Sequence, residues 1–218
     1  MWKLYLSRQE YFHNLLIEHL QLSAISIVLA LVIGLALGIL IAQQDRFSLP
    51  VLGTINFIYT IPSIALFGIL LPLTGIGYNT AIIALTVYAL LPIVRNTYAG
   101  LKNIDPTIIE AGIGMGSTEW QLLWKIKLPL ALPVIMAGVR NMVVMVIATC
   151  GIASFIGAGG LGVAIFRGIT TYQVSMTYLG SLMISAVALC CDILLGKLEK
   201  QITLRINGTL PQNRKHKN

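Results

Sequence analysis

Charge is scarce in this 218-residue chain: 11% of residues are Asp, Glu, Lys or Arg, against 56% hydrophobic, and the mean hydropathy is +0.83. So little polar surface cannot coat a soluble globule of this length, so an integral membrane protein is expected. Cysteine is nearly absent too. Cys150, Cys190 and Cys191 are odd in number, lie in or beside apolar runs and offer no Cys-x-x-Cys or Cys/His spacing. No metal site is expected from them, and they read as small packing residues. The three histidines, His13, His19 and His216, are terminal, with no paired acids or serine/histidine arrangement nearby, so catalysis is not expected. A phosphate-binding loop ending in Gly-Lys-Ser/Thr is also missing, so any nucleotide hydrolysis must occur on another chain. The net charge of +7 is scattered over segment ends and the tail, which argues against a nucleic-acid partner and suits a protein whose solvent is lipid.

What is present is a series of apolar runs. About 20 residues of helix cross roughly 30 Å of hydrocarbon. Leu22 to Ala42, Val51 to Leu73, Thr80 to Asn96, Pro133 to Ile156 and Tyr178 to Leu198 meet that length, and none alternates as a barrel strand does. The expected fold is all-α, a polytopic membrane bundle of about five transmembrane helices. Its parts are an interfacial segment 1–21, a transmembrane domain 22–200 with a loop at 102–132, and a basic tail 201–218. Residues 1–21 carry Trp2, Leu6, Tyr11, Leu15, Leu16 and Leu20 at loosely helical intervals, as an amphipathic segment does. Glu10 and Glu18 before a long first run argue against a cleaved signal peptide.

Orientation follows from the basic residues. With the N-terminus outside, the cytoplasmic side holds Arg46, Arg95, Lys102, Lys125, Lys127, Lys197, Lys200, Arg205, Arg214, Lys215 and Lys217. The outside then keeps Lys3, Arg8 and Arg167, and Arg140 falls within a span. The positive-inside rule selects this orientation, with the C-terminus and the 102–132 loop in the cytoplasm.

That loop is too apolar for a water-facing connection. Asp105 before Pro106 is a capping carboxylate followed by a residue whose φ is preset for the first helical position, so a helix is expected from about Pro106 to Met115. Gly116 can take the left-handed conformation that ends it, and Thr118 with Gln121 forms a capping box for a second helix. On that helix Trp120, Leu123, Trp124 and Lys127 recur at spacing that puts them on one face. Neither short helix is stable alone in water, so these faces must be buried on the bundle, on a partner, or on both.

Glu110-Ala111-Gly112, then Gly116, Ile126 and Leu128-Pro129 at fixed spacing, resembles the EAA loop of permease subunits of type I ABC importers. Gly112 departs from that pattern, which most often has Ala, and trims a methyl from a packing surface. The stretches TIPSIALFGILLPLTGIG (60–77), YALLPIVRNTYAGL (88–101), LPLALPVIMAGVR (128–140) and FIGAGGLG (155–162) are similar to permeases importing glycine betaine, carnitine, choline or related osmoprotectants. The resemblance implies a MetI-like fold in a bacterial cell membrane. It implies a loop docked on a cytoplasmic ATPase dimer through Glu110, Ala111, Gly112 and Gly116, with Ile126, Leu128 and Pro129 fixing it to the next span. A second permease subunit, identical or related, and an extracytoplasmic solute-binding protein complete the machine. ATP and Mg belong to the ATPase, and this chain needs no cofactor. Related alternatives are an importer of methionine or another amino acid, or a passive osmotic channel.

Polar groups inside spans are costly and mark candidate pathway positions. Asn56, Tyr59, Thr60 and Ser63 lie near one face of the second span, Asn141 follows Arg140 in the fourth, and Tyr88 sits in the third. A trimethylammonium group favours aromatic faces, which draws attention to Tyr59 and Tyr88, although tyrosines also hydrogen-bond between helices. Arg140 is expected to pair with helix carbonyls or an acid, or to reach towards the cytoplasm. Pro62, Pro72 and Pro92 can bend their spans, and Gly157, Gly159, Gly160 and Gly162 suggest part of an external gate.

Overall fold

The structure, a computed structural model, describes residues 2–206, and among these there are helices and no strand. In chain order the helices are α1 (Trp2–Ser7), α2 (Gln9–Gln43), α3 (Ser48–Thr60), α4 (Ser63–Thr74), α5 (Tyr78–Lys102), α6 (Pro106–Gly114), α7 (Glu119–Gln121), α8 (Leu128–Cys150), α9 (Gly162–Thr170) and α10 (Val174–Ile206). Four stretches are long and apolar enough to cross a bilayer: α2, α5, the continuous run Glu119–Ile156, and α10.

The second expected span is not one helix. It breaks into a pair bent by 102°, and five crossings are reached only if that pair counts as one. Pro62 is the cause. It has no N–H to continue the ladder, and its ring drives the preceding residue out of the helical region, so Ile61 is extended at φ −68 and ψ 126. The Tyr88 hydroxyl on α5 donates to the Ile61 carbonyl at the break. Pro72 and Pro92, by contrast, lie inside α4 and α5 without interrupting them.

The separate interfacial segment expected at 1–21 is absent as such. α2 runs from Gln9 to Gln43 without a break, and Phe12, Leu15 and His19 in its first turns are buried in the bundle. Leu6 and Leu20 are exposed. The expected stripe thus splits, because the helix packs against α8 and α9 as well as facing outward. At the other end of the chain, residues 201–206 continue α10, and 207–218 of the basic tail lie outside the described residues.

Small residues set the central packing. Ala30, Gly34 and Gly38 recur every fourth residue on the buried side of α2. A Cβ at Gly34 would stand 2.2 Å from Ile93 of α5, and one at Gly38 would stand 2.6 Å from Thr97. Where lipid offers no hydrophobic drive, such close approach supplies the dispersion contacts that hold helices together. α5 meets α8 the same way at Gly138, whose absent Cβ leaves room for the Pro92 carbonyl at 3.1 Å.

Candidate functional site

The 102–132 loop begins as its residues dictate. The Asp105 carboxylate caps α6, accepting from the Thr107 backbone N–H at 2.9 Å and from its hydroxyl at 2.7 Å. These two bonds favour the ionised form and hold the carboxyl below its ordinary range. α6 ends at Gly114, one residue short of expectation, and Gly116 turns the corner at φ +82, where a side chain would be strained. Thr118 and Gln121 form the expected capping box.

Beyond the corner the structure departs from a second short helix. α7 has three residues and passes through a wide π turn, Leu122–Lys127, straight into α8. Pro129 cannot donate to the Lys125 carbonyl as an α-helix requires, and the helix widens just ahead of it. The wider turn also separates residues expected on one face. Trp120 and Trp124 stay together, ring centroids 5.3 Å apart, and are 69% and 51% exposed. Leu123 turns inward with Leu122, each 5% exposed.

Of the loop's candidate residues, Glu110 and Ala111 are exposed and Gly112 is buried. A Cβ on Gly112 would lie 2.8 Å from Leu122 Cδ1 and 2.9 Å from Ile126 Cδ1, so α6 rests its smallest residue on the π turn. Ile126 is half-buried at that contact, Leu128 packs on the core, and Pro129 is exposed in the first turn of α8. Ile108, Ile113, Met115, Trp120 and Trp124 all leave large apolar side chains uncovered on the loop, the two indoles in contact.

A cleft of about 440 Å³ opens on the bundle between α3, α5 and α8, lined by Tyr59, Leu91, Pro92, Arg95, Asn96, Asn141 and Met145. It brings Tyr59 and Asn141 together out of the six pathway candidates. The Tyr59 hydroxyl lies 3.7 Å from Met145 Sδ, and its ring packs at 61° against that of Tyr88, centroids 5.8 Å apart. Tyr88 itself is buried behind the cleft at the Ile61 break. Asn56 and Thr60 are exposed elsewhere on α3, with the Thr60 hydroxyl donating to Phe57 O, and half-buried Ser63 opens α4.

The cleft also contains a residue counted from sequence among the loop charges. Arg95 is inside α5, which continues to Lys102, and makes no ion pair among the described residues. A signal was available: Pro92, Arg95 and Asn96 share one helical face. Arg140 is its opposite. Its guanidinium holds both oxygens of Asp192, at 2.6 and 2.8 Å, and reaches Glu199 at 3.4 Å, with Gly196 leaving space for the planar group. The expected acid partner is therefore on α10.

At the end of the bundle away from the loop, the glycine segment is tied down. Glu18 accepts from the Gly160 N–H at 2.9 Å, and His19 Nε2 lies 3.1 Å from the Ile147 carbonyl. Gly157, Gly159 and Gly160 all have positive φ, and a Cβ at Gly160 would meet His19 at 3.2 Å. Glu18 and His19 were missed as partners of this segment because no local pattern links positions some 140 residues apart.

A family model described as the inner membrane component of binding-protein-dependent transport systems matches residues 22–204. The osmoprotectant import permease protein OsmW of Salmonella typhimurium (strain LT2) is 44% identical over 198 residues, covering 88% of this chain and 92% of that one. The carnitine transport permease protein OpuCB of Listeria monocytogenes is 41% identical, covering 89% and 91%. Among solved structures, a chain of the MetNI methionine ABC transporter in inward-facing conformations superposes with a TM-score of 0.81 at 24% identity, covering 88% of this chain and 95% of that one.

Proposed function

Since the chain belongs to the family of inner membrane components of binding-protein-dependent transport systems, whose members are transport permeases and not enzymes, we propose that it is the membrane-spanning subunit of an ATP-driven importer of a quaternary-ammonium compatible solute. The observation that carries this reading is the 41–44% identity, over about nine-tenths of both chains, to permeases named for carnitine and osmoprotectant transport. The likeness to the methionine transporter speaks for the fold alone, and so does not favour an amino-acid substrate.

In this reading the loop end faces the cytoplasm and docks in an ATPase subunit, with ATP and Mg held there. Glu110, Ala111 and the apolar cluster around Trp120 and Trp124 form the contact. Gly112 and Gly116 shape it, and Ile126, Leu128 and Pro129 join it to α8. The uncovered indoles support this, since a patch of that kind outside lipid marks a protein contact. Continuity from α7 through the π turn into α8 would let a rigid-body movement of the loop tilt a whole span. One chain offers a cleft with an open side, which suits half of a pathway completed by a second permease subunit. Asn56, Tyr59, Thr60, Ser63, Tyr88 and Asn141 remain the pathway candidates. A separate binding protein would deliver solute at the end bearing the glycine segment.

The test is uptake of glycine betaine, carnitine and choline into vesicles holding this chain with its ATPase and binding protein. ATP-dependent uptake of at least one solute is expected. Equal uptake without ATP would point to a passive channel, and methionine uptake in place of all three would refute the substrate assignment.

A further inference from the structure

The two arginines within the spans are treated differently by the fold. Arg140 is neutralised by Asp192 and Glu199, as a charge in a membrane helix requires. Arg95 is exposed and has no acid partner among the described residues, and the cleft it lines with Asn96, Asn141, Tyr59, Met145, Leu91 and Pro92 has no carboxylate among them. A purely cationic solute would meet an uncompensated positive charge there. The same lining carries what an alkylated ammonium prefers: an aromatic ring that packs against a second ring, and a thioether. The volume of about 440 Å³ is that of a small-molecule site.

We propose that this cleft is a zwitterion-selective station on the pathway, in which Arg95 takes the carboxylate of a betaine-type solute and Tyr59 takes its trimethylammonium group. The proposal rests on the quaternary-ammonium reading above and deepens it. It assigns carboxylate-bearing solutes such as glycine betaine and carnitine as preferred, and choline, which has the cation without the anion, as disfavoured. Asn141 supplies a neutral hydrogen-bonding group that serves either solute, while the Asn96 amide donates to the Pro92 carbonyl at 2.8 Å. A planar guanidinium pairs with a carboxylate through two parallel hydrogen bonds, which an amide or ammonium cannot reproduce.

The test is saturation-transfer NMR on the purified complex of this chain with its ATPase, without binding protein, using glycine betaine and choline in equimolar competition. Methyl signals from betaine are expected to exceed those from choline by about tenfold, the scale of a hydrogen bond to a charged group. Arg95→Gln should abolish the preference, Arg95→Lys should keep part of it, and Tyr59→Leu should weaken both signals together. A preference that survives Arg95→Gln, equal signals in the wild type, or no signal from either solute would overturn the proposal. Should Arg95→Gln fail to assemble, an undiminished preference in Arg95→Lys would overturn it as well. The broader reading fails separately, when the wild-type complex with binding protein and ATP imports no quaternary ammonium solute.

Discussion

The two ends of the bundle are built differently. At the loop end, the indoles of Trp120 and Trp124 and the side chains of Ile113 and Met115 stand uncovered. At the other end, Glu18 accepts from the Gly160 N–H and the His19 ring meets the α8 backbone at Ile147, while Phe155 and Ile76 beside the glycines stand exposed. Both ends leave apolar side chains uncovered, but at the glycine end they flank a segment held by α2, whereas at the loop end the paired indoles stand on a corner between short helices.

The largest effect is expected at the corner. Gly116→Trp forces a bulky residue into the left-handed region, at about 1–2 kcal/mol, and puts an indole where the proposed ATPase contact would form. Uptake and co-purification with the ATPase are expected to fall to background while membrane insertion is unchanged. Glu110→Lys should act alike. Normal association of both variants would remove the docking assignment.

Removing both indoles, Trp120→Ala with Trp124→Ala, is expected to weaken ATPase binding by about 100-fold, as loss of hot-spot aromatics does. Thermal stability of the isolated chain should change far less than binding, because both indoles are more than half exposed in it. A large drop in melting temperature would mean that the patch is covered by the chain's own bundle.

At the glycine end, Glu18→Gln weakens a charge-assisted bond and should lower stability by about 1 kcal/mol. Hydrogen exchange at Gly160 should quicken, with ATPase association unaltered. A variant that alters association but not exchange would show the ends to be coupled in a way this comparison denies.

Two smaller effects sharpen the picture at the loop. Asp105→Asn should loosen the first turn of α6, and in the wild type the same loosening should follow acidification. Because the folded carboxyl titrates below its ordinary range, its contribution is present above the unfolded pKa and is lost as pH falls through the folded value. Exchange of the Thr107 and Ile108 amides measures both. The smallest change is expected from Gly112→Ala, where a gain in helix propensity of up to about 1 kcal/mol is offset by a contact with the mobile ends of Leu122 and Ile126. Unfolding midpoints within a degree or two of wild type would agree, and a severe loss would mean those ends cannot move.

Much of the loop was legible because its signals are local. Asp105-Pro106, Gly116 and the Thr118/Gln121 box act within four residues of themselves, so each could be read without knowing the fold. The face shared by Trp120, Leu123 and Trp124 was misread because periodicity assumes an α-helix, and Pro129 widens the turn before it. Proline positions carried the same ambiguity: Pro62 breaks its span, while Pro92 lies within an unbroken α5 that α2 and α8 pack against.

By itself the sequence determined the medium and the elements: an apolar chain in lipid must satisfy its backbone within helices, and their lengths follow from bilayer thickness. It also determined the caps and corner of the loop, since those depend on neighbours along the chain. Only the tertiary structure decided which arginine is neutralised and which is left free in a cleft, which residue of α2 holds the glycine segment, and which indoles remain uncovered. Those outcomes depend on where distant helices cross, and the crossings are set by small residues such as Gly34, Gly38 and Gly138, whose effect lies in what they let approach.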